Sequence, residues 1–92
     1  MSRKPAVHRL DANHDQVVAI ARAHGWEVIS LTSSGQGIPD LLCWKASHGF
    51  RLIEVKAGKY GRLTEAQKAF RLRYRLPITY IHSAEDASEV FR

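Results

Sequence analysis

One cysteine, Cys43, stands in the whole sequence, so no internal disulfide can form and no cysteine-built zinc site is available. The five histidines (8, 14, 24, 48 and 82) are scattered without the spacing of metal ligands. Acidic residues are also short: nine Asp and Glu stand against fourteen Lys and Arg, a formal net charge of +5. Surplus positive charge suits an anionic partner, nucleic acid first, or else is no more than the solubilising lysine of an ordinary surface. No secretory leader and no apolar run long enough to span a bilayer is present, so a soluble protein with no membrane partner, in a reducing, cytoplasmic setting, is expected. Repeats and low-complexity tracts are absent. What remains is a chain of 92 residues with 45% hydrophobic content, enough for one small core and too apolar for disorder.

Residues 1–10 carry Arg3, Lys4, Pro5 and Arg9 and read as a basic arm; residues 11–92 read as a single domain. Val17, Ile20, Ala21 and His24 repeat at helical spacing up to Gly25, with Asn13 as N-cap and Gln16 completing a capping box. Trp26 to Ser33 alternates as a strand, and Ser34 to Gly37 is a turn. Leu41 to Trp44 is apolar on both faces, hence a central strand; Arg51 to Lys56 is the third strand. Ala57 to Arg62 makes a basic glycine loop. Thr64-Glu65-Ala66-Gln67 opens a second helix through a capping box, and the helix ends near Arg75 because Pro77 cannot continue it. Ile78 to Ile81 is a fourth strand, and Ser83 caps a closing helix. The order α-β-β-β-α-β-α predicts an α/β fold: an antiparallel meander, then a crossover helix that returns the fourth strand to pair parallel inside the sheet.

Chemistry concentrates on two strands. Side chains alternate faces along a strand, so Glu54 and Lys56 project together, about 7 Å apart, with Leu52, while Arg51, Ile53 and Val55 face the other way. If strands two and three are hairpin partners, Asp40 at the start of one lies beside Glu54 and Lys56 at the end of the other. Carboxylates crowded together repel unless a cation sits between them, and Mg2+ wants oxygen ligands. Asp40 and Glu54 supply two, and the Val55 carbonyl a third if the strand end leaves it unpaired. Lys56 would then orient or deprotonate a water, or stabilise charge as a phosphorus is attacked. The competing account is a surface Glu54–Lys56 pair with Asp40 in a Pro-Asp turn.

Pro39-Asp40 and Glu54-Val55-Lys56 resemble the signature of the PD-(D/E)XK nuclease superfamily, with its restriction-endonuclease-like core and mixed central sheet. The glycine turn before the Pro-Asp pair, Leu63-Thr64 and Gln67 are similar to the virus-type replication-repair nuclease (VRR-NUC) domains, in the order found in stand-alone phage proteins. The likeness spans about residues 11–85. It implies a structure-selective endonuclease using Mg2+, or Mn2+ in its place, and a homodimer that resolves four-way junctions. On this chain it implies Asp40, Glu54 and the Val55 carbonyl as metal ligands, Lys56 acting on the water and Gln67 supporting the site. Relatives place a glutamate on the first helix; here Asn13, His14 or Asp15 would have to serve, and Asn13 is equally an N-cap. Gln67 is equally a capping residue.

Lys59, Tyr60 and Arg62 follow the catalytic strand and would clamp phosphates of branched or duplex DNA. Gly35, Gln36 and Gly37 would let a DNA backbone approach, or form a plain turn. Lys68, Arg71 and Arg75 form a stripe on the second helix that is a solvated face or a phosphate track. Phe70, Tyr74 and Phe91 are interface or core. No base-reading motif is present, which favours recognition by shape and phosphate. Two further readings stand beside the enzyme: a non-catalytic nucleic-acid-binding module and an RNA-processing nuclease on the same fold.

Overall fold

The computed structural model describes residues 13–56 and 62–92. The basic arm and the loop positions Lys59 and Tyr60 lie outside the described residues. Helix α1 (His14–Ala23) leads into strand β1 (Glu27–Ser30), then β2 (Leu41–Lys45), β3 (Gly49–Val55), helix α2 (Glu65–Tyr74), β4 (Ile78–Ile81) and helix α3 (Ala84–Phe91). The sheet runs β1-β2-β3-β4, with antiparallel pairing in the meander and β4 parallel to β3. This is the mixed α/β architecture of a restriction-endonuclease-like core. The expectation for β4 needs one correction: among the described residues it pairs only with β3, so it ends at the sheet edge and not inside the sheet.

Register sorts the side chains. Leu41 pairs with Ile53 and Ser30, and Cys43 with Arg51 and Val28, so Leu41, Cys43, Ile53 and Ile81 share one face. That face is covered by α1 and α3, whose Val17, Ala21, Ala87 and Phe91 are fully buried with it. Trp26 closes the layer: its indole N–H donates to the Phe91 carbonyl at 3.0 Å, and the two rings meet edge to face at 5.4 Å. Phe91 is therefore core and is unavailable to an interface. The buried Cys43 thiol is pushed up to about 11 by desolvation, which leaves it a small, unreactive hydrophobe.

Local rules account for the element ends. Asn13 Oδ1 accepts from the Gln16 N–H at 2.8 Å, but the reciprocal half of a capping box does not form, and Gln16 Oε1 is buried without a partner among the described residues. His24 is not on the apolar face as its spacing suggested; it is exposed at the helix C-cap, where its carbonyl accepts from Lys45 Nζ at 2.6 Å. Strand β1 stops at Ser30, short of Ser33. Ser30 and Thr32 hydroxyls bond one another at 3.0 Å, and the chain turns into a 3-10 segment over Thr32–Ser34. Short hydroxyl side chains satisfy local groups and so compete with a sheet ladder. The full capping box at Thr64 and Gln67 does form, and α2 ends at Arg75 in a left-handed conformation, φ 53.

Candidate active site

The opposite sheet face carries the even-numbered residues of β2 and β3, and the polar cluster lies at its upper end. The β2–β3 ladder ends at Leu41 and Ile53. One step further, Asp40 sits beside Glu54. Asp40 Oδ2 accepts the Val55 N–H at 2.8 Å, so the aspartate side chain takes the place of the next ladder bond. The Lys56 N–H bonds the Ile81 carbonyl at 2.9 Å. Neighbouring residues of an extended strand point their backbone groups to opposite sides, so the Val55 carbonyl faces the Asp40 side, beyond the end of the ladder. The Leu31 N–H, just past the end of β1, donates to the Asp40 carbonyl at 2.7 Å and anchors its backbone.

Glu54 is 4% exposed, the one buried charged residue among those described. Burial, then the charge of Asp40 and a hydrogen bond shared with it, push the Glu54 carboxyl up to about 7 against the pull of Lys56 and Gln67. Lys56 Nζ lies 3.8 Å from Glu54 Oε2. Gln67 joins them. Its Oε1 accepts from Lys56 Nζ at 2.5 Å and from the Thr64 N–H at 2.9 Å, while its Nε2 donates to Glu54 Oε2 at 2.7 Å. Capping and site support are thus one arrangement: the glutamine that closes the helix N-terminus also fixes the rotamers of the glutamate and the lysine.

Gly37 holds that helix start in place. It has φ +78, and a Cβ there would overlap the Ala66 carbonyl and lie 2.8 Å from the Gln67 amide nitrogen. Only glycine combines that backbone with that approach. Packing against the start of α2 is thus a sufficient structural reason for glycine at position 37. Gly35 is open, with nothing within 4 Å of a Cβ, and Gln36 and Arg62 are exposed. Close packing of Gly37 on α2 was not legible in the sequence; its one signal is the paired glycines before Pro39-Asp40.

The first-helix candidates do not join the cluster. Asn13 is occupied as N-cap. His14 and Asp15 line a separate cleft of about 520 Å3 with Arg22, Ser30 and Thr32. Among the described residues no group of three or more His, Cys, Asp or Glu side chains comes together. The oxygens that could meet a cation here are those of the two carboxylates and the Val55 backbone carbonyl, all hard donors. Asp40, one step beyond the end of the ladder and beside Glu54, adds to burial in raising the Glu54 carboxyl, a repulsion that a divalent cation would relieve. The chemistry of these donors fits Mg2+ or Mn2+.

An antiparallel meander, a parallel fourth strand, and two carboxylates with a lysine at one strand end are the marks of a PD-(D/E)XK nuclease core, a class that generally uses divalent metals. The chain matches the VRR-NUC domain family over residues 2–74 and belongs to that family, which makes it a nuclease of this type. Neither a curated protein nor a solved structure matches it. The family match ends where α2 ends, yet Ile81, Ala87 and Phe91 beyond it are fully buried in the core. No helix among the described residues is long and apolar enough to cross a membrane.

Proposed function

We propose that this protein is a divalent-metal-dependent, structure-selective DNA endonuclease that acts as a homodimer on four-way junctions. The observation that carries the reading is the pressed pair Asp40–Glu54 with Lys56 Nζ 3.8 Å away, three side chains brought together by two strand ends. Asp40, Glu54 and the Val55 carbonyl would hold Mg2+, with Mn2+ able to substitute. When bound, the metal supplies Lewis acidity to a phosphoryl oxygen and makes a water more acidic. Gln67 fixes one N–H of Lys56. The remaining ammonium protons would orient the attacking water and neutralise charge on the phosphate as the P–O bond to the leaving sugar oxygen breaks. Asp40, pinned by the Val55 N–H, and Glu54, pinned by Gln67, enter the reaction already oriented.

Dimerisation finds support in an uncovered apolar surface. Ile29, Trp44 and Phe50 lie 58%, 40% and 63% exposed on the sheet face that carries the site, and Tyr74 at the end of α2 is 53% exposed. Monomers seldom leave such residues together in water, and a two-fold dimer suits a two-fold substrate.

The test is a cleavage panel of four-way junction, flap, linear duplex and RNA, with and without Mg2+. Asp40→Asn and Lys56→Ala should each lower junction cleavage by about 100-fold or more while the circular dichroism spectrum is kept. Binding without cleavage by the wild-type protein would leave the non-catalytic module as the reading. Cleavage of RNA alone would assign the substrate to the other polymer.

A further inference from the structure

The two flanks of α2 differ in character. Toward the loop before β2 lie Gln36, Ile38, Ala66, Ala69, Phe70 and Tyr74, with a single cation, Arg73, whose guanidinium carbon is 5.5 Å from the Tyr74 ring centroid. On the other flank Lys68, Arg71 and Arg75 line a groove of about 630 Å3 together with Leu63, Leu72 and Leu76. Arg71 is held there by Tyr80 of β4, its guanidinium carbon 5.7 Å from the ring centroid. Most other described cations are engaged elsewhere. Lys45 bonds the His24 carbonyl, Arg51 bonds the carbonyls of His48 and Phe50, Lys56 is tied to Gln67, and Arg92 pairs with Glu89. Among the described residues neither Arg71 nor Arg75 forms an ion pair. Among the described residues Lys68 pairs with Glu65, whose side chain is 91% exposed, a contact that salt or an incoming anion displaces readily.

Cations near a helix C-terminus complement its dipole, and that would explain Arg75 and Arg71 alone. It does not explain Lys68, a turn and more upstream, nor a groove floored by leucines that remain 73% (Leu72) and 43% (Leu76) exposed. Lys68 follows Gln67 in the chain, so the cationic line begins in the same first turn of α2 that supplies Gln67 to the carboxylate pocket. From Lys68 to Arg75 the helix rises about 10 Å, the axial length of about three nucleotides of one strand.

We propose that this groove carries the sugar–phosphate backbone of the bound DNA strand away from the Asp40–Glu54–Lys56 pocket, with the two arginines and Lys68 on successive phosphates and the leucines against the sugars. The proposal rests on the nuclease reading and extends it to substrate path. The test is fluorescence anisotropy in EDTA with a labelled four-way junction, over a series of salt concentrations, on full-length protein. Arg71→Ala with Arg75→Ala should weaken binding by about tenfold or more and reduce the slope of log K against log salt by about 2, since each lost phosphate contact removes about 0.9. Arg71→Lys with Arg75→Lys should restore most of the affinity. In cleavage assays KM should rise while kcat stays within about threefold. Arg75→Gly removes the charge at a left-handed position that glycine favours, so it tests the site with no folding penalty and should reduce the slope by about 1. Unchanged affinity and slope in these variants would overturn the groove. Failure of the wild-type protein to cleave any substrate, with the variant affinities still reduced, would overturn the nuclease reading and leave the groove standing.

Discussion

Two faces of one sheet are made from alternate residues of the same strands, and they are packed in opposite ways. The face under α1 and α3 is dry: Leu41, Cys43, Ile53 and Ile81 meet Val17, Ala21, Ala87 and Phe91 with no exposure. The face under α2 is open. That helix buries no residue at all, and Ile29, Trp44 and Phe50 stand exposed on the same sheet face. What fastens α2 is a few specific contacts: its own capping box, the Gln67 bridge to Glu54 and Lys56, and the close backbone approach of Gly37. Stability is thus concentrated on one side, and the groups that repel one another are placed on the side where little packing would be lost. A raised carboxyl pKa in the site is the cost of that division, tolerated because the opposite face holds the fold.

The sharpest way to break the comparison is in the core. Ile53→Ala should cost about 2–5 kcal/mol in chemical denaturation, whereas Ile29→Ser, on the other face of the neighbouring strands, should cost no more than about 0.5 kcal/mol in the monomer. Equal losses would mean that the open face is closed in solution by a second copy, and Tm would then rise with protein concentration.

Gly37→Ala comes next. Overlap with Ala66 and a left-handed backbone at one position should cost about 1–3 kcal/mol. Because that contact seats α2 and Gln67, cleavage should fall further than stability explains, measured as kcat on protein shown to be folded.

The smallest effect is the pH dependence of Glu54. Its folded pKa, about 7, lies above its ordinary value of 4.5, so the native state holds the proton more tightly than the unfolded state. The stability this group contributes is complete below about pH 4.5 and is lost as pH rises through about 7. Without metal, Tm should therefore fall by a few degrees between pH 5.5 and 8, and Glu54→Gln should flatten that part of the profile. Millimolar Mg2+ at pH 8 should recover the loss in the wild-type protein and have no such effect in Glu54→Gln. A wild-type profile identical to that of Glu54→Gln would show that neither burial nor the Asp40 charge raises the Glu54 carboxyl in the folded protein.

Much of this arrangement was legible beforehand. Strand alternation placed Glu54 and Lys56 on one face, and the hairpin put Asp40 beside them, because period-two geometry and antiparallel pairing leave little freedom once Ile53 is assigned to the core. Thr64 and Gln67 announced the start of α2 by their spacing. The edge position of β4, the early end of β1 and the separation of His14 and Asp15 from the carboxylates were not legible. Each depends on which segment packs where, and no local pattern encodes that. The exposed position of His24 is a similar case: its helical spacing fits the apolar face, but the helix stops at Ala23 and the residue turns out into solvent.

The sequence by itself determined the elements, their order and the residues able to do chemistry, because propensity, capping and alternation act over a few residues. Only the tertiary structure decided that Gln67 serves helix cap and ion pair together, that Gly37 must have no side chain, and that one sheet face is sealed while the other stays open. Those outcomes depend on distances between residues remote in the chain, set by how the described helices divide two faces of one sheet.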